Sequence, residues 1–109
     1  MNDDVKKFEA AARKTQRAIT ALDTVAVDEA SNVRDLSAPI SKMVDRLYTL
    51  ANKAAYVEGS DARVGMISML IQSSGAARER LQARIVSVRC AKIRELEIER
   101  ARAANARPY

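Results

Sequence analysis

The chain has 109 residues, 48% of them hydrophobic, and a net charge of +5. That suits one domain with a modest core and excludes a disordered tail. No histidine is present and Cys90 is the single cysteine, so a Cys–His dyad, a zinc cage and an intrachain disulfide are all excluded.

Three glycines and two prolines stand among abundant Ala, Leu, Lys, Arg and Glu, with only four aromatics (Phe8, Tyr48, Tyr56, Tyr109). These residues predict an all-α fold. A core of Ala, Val, Ile, Leu and Met is thin, and a thin core in a small chain commonly relies on a partner to cover the rest.

The first helix is expected over about 3–22. Asn2 or Asp3 can cap it, and Asp3, Asp4 and Glu9 lie near its positive end. Val5, Phe8, Ala12, Thr15, Ile19 and Leu22 recur at steps of three and four, a seam that predicts shallow helix–helix packing. Asp28–Leu36 reads as a short helical turn at most. A second helix is expected over about 37–58, with Ser37 as cap and Pro39 in the first turn, where proline is accepted. Ile40, Met43, Leu47, Leu50, Ala54 and Val57 continue the seam. Gly59 reads as a left-handed terminator, and Ser60 and Asp61 restart the chain at once in a tight antiparallel hairpin.

The third helix is expected over about 60–104. Val64, Ile67, Leu70, Ile71, Ser74, Ala77, Leu81, Ile85 and Val88 form its apolar stripe, and Gly75 is the one place where it could break. An unbroken helix from Ala62 to Ala104 is about 64 Å long, against roughly 30 Å for each neighbour. The reading is therefore a single domain: an antiparallel hairpin or three-helix bundle whose long C-terminal helix extends beyond it. Met43, Met66 and Met69 read as adaptable core filler, and "RARAANARPY" as a frayed basic end.

Charge is unevenly placed. Residues 1–77 hold ten cations and ten acids, whereas Arg78–Tyr109 hold nine cations and four acids. That asymmetry suggests an acidic partner. In "RERLQARIVSVRCAKIREL" the candidate partner- or nucleic-acid-binding residues are Arg78, Arg80, Arg84, Arg89, Lys92 and Arg94. Their spacing surrounds the rod rather than gathering on one face, and no aromatics are interleaved to stack on bases. Cations flanking an apolar seam usually lie over it and pair with neighbouring acids, so protein packing is favoured over direct nucleic-acid reading. The carboxylate pairs Asp3/Asp4 and Asp28/Glu29 are explained by capping. The three glycines form no phosphate loop. Cys90, beside Arg89 and Lys92, reads as a small side chain tolerated on a helix rather than a redox sensor. No cofactor, metal site or catalytic residue is expected.

The segment "RERLQARIVSVRCAKIRELEIE" resembles the long arginine-bearing helix in the α-domain of GINS subunits of the replicative helicase complex. Arg80, Arg89, Lys92 and Ile93 match its pattern, and "AARKTQRAI" and "ISKMVDRLYTLANKAAYVEG" fall where that family places its preceding helices. The likeness spans about Ala11 to Glu99, without the small β-rich domain and the aromatics usual there. It implies a non-catalytic scaffold whose long helix packs against sister subunits. Three readings follow: a helical assembly subunit, within a DNA-handling complex if the likeness holds; a small direct nucleic-acid binder; or an inhibitor or adaptor on a partner's acidic surface. A homo- or hetero-oligomer is expected, soluble and intracellular, with no membrane segment.

Overall fold

The computed structural model describes residues 2–106, which form three helices and no strand: α1 (Asp3–Ala21), α2 (Val33–Lys53) and α3 (Ser60–Ala106). The overall extents are 80 × 17 × 16 Å, a rod rather than a sphere. Asn2 caps α1, its side chain accepting from the Asp4 N–H at 2.8 Å. The seam on α1 is the one its spacing predicts: Phe8, Ala12, Thr15, Ile19 and Leu22 are buried. They pack with Ile40, Leu47 and Leu50 of α2 and with Ile67, Leu70, Ala77, Leu81 and Ile85 of α3. Thr15 spends its hydroxyl on the Ala11 carbonyl at 2.7 Å, so it enters the core with its hydrogen bond made.

α2 starts earlier than the proline rule places it. Asn32 is its cap, accepting from the Asp35 N–H at 2.8 Å while its own amide donates to the Asp35 carboxylate at 2.9 Å. This reciprocal pair, with half-buried Val33 and Leu36 against the core, outweighs the hydrogen bond lost at Pro39, which lies about two turns inside the helix. Ser37 is no cap. It is buried and donates to the Val33 carbonyl at 2.7 Å.

α2 also ends at Lys53, short of the expected 58, and a turn carries the chain to Gly59, whose φ of +92° is the left-handed conformation predicted there. Arg63 secures this turn. It is buried, and its guanidinium donates to the carbonyls of Ala54 (2.8 Å), Val57 (2.6 Å) and Glu58 (3.0 Å). It therefore caps the carbonyl end of α2 from the neighbouring helix.

α3 is continuous through Gly75, and it stays helical to Ala106, further than the frayed end expected from "RARAANARPY". The rest of that segment lies outside the described residues. The buried stripe of α3 is Arg63, Ile67, Leu70, Ser74, Ala77, Leu81 and Ile85. Val64 and Ile71, expected in it, are exposed, as are Met66 and Met69, expected as core filler. The stripe is one helical position off at its start because Arg63, not Val64, faces inward. Among the described residues no helix is long and apolar enough to cross a membrane.

Candidate interaction surface

Three of the predicted site cations serve the chain itself. Arg80 meets Asp23 in a two-pronged ion pair, Nε to Oδ1 at 2.9 Å and Nη2 to Oδ2 at 3.2 Å. The Arg80 hydrogen bonds hold the Asp23 carboxyl below its ordinary pKa, with a smaller attraction from Arg84. Arg84 donates to the carbonyls of Leu22 (2.9 Å) and Val25. Arg89 donates to those of Glu29 (3.2 Å) and Ser31 (2.9 Å). Together they pin the α1–α2 connector over α3, satisfying carbonyls that no helix or strand ladder reaches. The protrusion therefore begins later than the helix-length argument suggests: Arg78, Arg84 and Arg89 lie within the bundled part.

Arg78 is half-buried at the α2–α3 groove, beside Ser41, Val44, Asp45, Ile71, Ser74 and Gly75. Its Nε and the Ser74 hydroxyl are buried there without a hydrogen-bond partner. Lys92 makes a loose pair with Glu95 at 3.8 Å. Arg94 is fully on the surface of the protruding part.

Among the described residues nothing covers α3 beyond Arg89. Every residue from 90 to 106 is exposed except half-buried Lys92. At 1.5 Å per residue this free segment is about 25 Å long. It is not strongly basic: Lys92, Arg94, Arg100 and Arg102 stand against Glu95, Glu97 and Glu99. It does display Ile93, Leu96 and Ile98, which are 54%, 41% and 52% exposed. Cys90 is exposed at its base.

A separate cationic feature lies on the opposite side of the bundle, and sequence reading missed it. A groove of about 320 Å³ between α1 and α2 has an apolar floor of Ala10, Ala11 and Met43, rimmed by Lys7, Lys14 and Arg46. Among the described residues none of these three cations is in an ion pair. Lys42 and Lys53, also exposed, continue the same face of α2 at helical spacing. The signal was findable: Lys7 and Lys14 are two turns apart on α1, as are Arg46 and Lys53 on α2.

No family model, curated protein or solved structure matches the chain.

Proposed function

We propose that the protein is a non-enzymatic helical assembly subunit that engages protein partners through the free end of α3. One observation carries this reading: the last 17 described residues of α3 stay helical with no cover while exposing Ile93, Leu96 and Ile98. An isolated helix of that length is marginal in water even for alanine-rich sequences. An apolar helical segment projecting from a small bundle gains most when a second surface closes over it. The near balance of charge on that segment favours a protein over a phosphate backbone, which rewards an excess of cations. A scaffold role of this kind is also what the GINS resemblance implies, and it would place the subunit in a DNA-handling complex.

The test is a photo-crosslinking residue at position 96, activated in the source cell. Protein adducts are expected. Adducts confined to nucleic acid, or none, would overturn the reading.

The α1–α2 groove favours a second reading, binding of a polyanion such as nucleic acid, and moves it away from α3. On that reading Lys7→Gln, Lys14→Gln and Arg46→Gln together weaken retention of random DNA at low salt, and the salt slope flattens as phosphate contacts are lost. An acidic-partner adaptor would use the same groove without that slope.

A further inference from the structure

The grooves between pairs of helices differ in charge. The α1–α3 groove beside Met66 and Leu70 is walled by Glu9 and Arg13, and the α2–α3 groove by Asp45 and Arg78. Each sets one acid against one cation. The α1–α2 groove carries Lys7, Lys14 and Arg46 and no acid. Its floor is apolar: Ala10, Ala11 and Met43 line it, and the hydroxyl of Thr15 is spent on the Ala11 carbonyl. We propose that this groove seats an amphipathic helix of a partner protein, apolar on its inner face and carrying carboxylates on both flanks. This deepens the acidic-partner reading of the groove, on which it rests, and is independent of the free end of α3.

Spacing and shape select a helix. Lys7 and Lys14 are one heptad apart on α1, as are Arg46 and Lys53 on α2, a rise of about 10.5 Å along each wall. A helix lying along the groove presents carboxylates at the same interval to both walls, as the positions flanking a coiled-coil seam do. Alanine on the floor lets the two backbones come close. Half-buried Met43 is unbranched and adapts to the apolar side chain that enters.

Other anionic occupants use only part of the site. Phosphates meet the cationic rim but leave the apolar floor without a partner, and the floor side chains offer no free donor to read a base. A fatty acid needs most of its surface enclosed, whereas two helices wall this groove on two sides only. A bilayer surface meets the raised cations and not the recessed floor. A helix with acidic flanks covers the floor and pairs with the rim at once.

The probe is a labelled peptide of three heptads, with leucine at the first and fourth positions of each and glutamate on both flanks. It is titrated with the full chain; fluorescence anisotropy reads binding and circular dichroism reads the helix the peptide gains. The peptide is expected to bind and become helical, and a scrambled peptide of the same composition to bind about tenfold more weakly. Lys7→Gln, Lys14→Gln and Arg46→Gln together should weaken binding by about tenfold, the loss of three exposed charge pairs. Met43→Gln keeps charge and size but makes the floor polar, so it should weaken the peptide by about threefold or more and leave random DNA untouched. All four side chains lie outside the core cluster, so the variants should keep the helicity of the parent chain. Unchanged peptide binding in Met43→Gln overturns the seat. So does DNA, or an anionic phospholipid vesicle, that binds through the three cations where the peptide does not, or a dimer of the chain that the three glutamines dissolve. Equal binding of both peptides, lost with the three cations, overturns the helix but leaves an acidic partner. Failure of both peptides overturns the acidic-partner reading as well, so the two failures are distinguishable.

Discussion

The two halves of α3 share one helix and much the same residue classes, yet they live in different environments. From Arg63 to Ile85 every third or fourth residue is buried, and the helix is held by the packing of α1 and α2. From Cys90 to Ala106 it is held by its own hydrogen bonds and by nothing else among the described residues. The difference shows what the arginines are for. In the bundled half Arg63 caps the α2–α3 turn and Arg84 secures the α1–α2 connector, so both ends of the hairpin are closed by guanidinium groups on backbone carbonyls. Beyond Arg89 the described cations make no such contact. Charge density alone does not separate a clamp from a binding surface; the carbonyls within reach do.

The largest way to break the contrast is in the bundle. Leu47 is completely buried between the helices. Leu47→Asp places an unpaired carboxylate there, and a loss of about 4 kcal/mol or more is expected from desolvation and lost packing together. Chemical denaturation followed by circular dichroism reads it. An unchanged midpoint would contradict the packing of α1 and α3 on α2.

Next is Arg63. Arg63→Met retains most of the stem but leaves the carbonyls of Ala54, Val57 and Glu58 without their donor. About 2 kcal/mol should be lost, since buried acceptors then go unpaired. A variant as stable as the wild type would mean that water replaces the guanidinium fully. Arg84→Lys with Arg89→Lys is smaller, about 1 kcal/mol, because lysine keeps the charge but cannot fork between two carbonyls. Hydrogen exchange should localise this loss to the connector amides between Asp23 and Ser31. Equal protection there in both proteins would show that the connector is held by its apolar contacts, Val25 and Val27, rather than by arginine.

Much of this was legible in the sequence. The seam on α1, the hairpin at Gly59 and the unbroken α3 follow from period and punctuation, which are local. The start of α2 was misplaced because the proline rule was weighed without the Asn32–Asp35 cap. Arg63 was missed because an arginine inside a helix ordinarily reads as solvated, and its acceptors lie across a turn. The roles of Arg80, Arg84 and Arg89 depend on a connector about sixty residues earlier in the chain, and no periodicity reports on such a distance. The Lys7–Lys14–Arg46 groove is hidden for the same reason: it is one feature only after two helices pack.

Opposite in sign is Gly75→Ala. Gly75 has ordinary helical backbone and open space at its Cβ position, so the substitution should stabilise the monomer by up to about 1 kcal/mol. Chemical denaturation reads the change, and a clear loss of stability would show that a close neighbour sits on that face.

The smallest expected effect is the sharpest test of the contrast between the halves. Ile93→Ala and Leu96→Ala remove apolar side chains from the free end, where neither touches the core. Alanine is also the better helix former than isoleucine. Unfolding of the monomer, measured at high dilution, should therefore shift by no more than about 0.5 kcal/mol. The same pair of changes within the bundle, Ile67→Ala and Leu70→Ala, would cost several kcal/mol by the usual large-to-small penalty. If the free-end variant also melted early in the monomer, the end of α3 would be folding back on the bundle in solution. Ile93 and Leu96 would then belong to the core, not to a surface kept open for another chain.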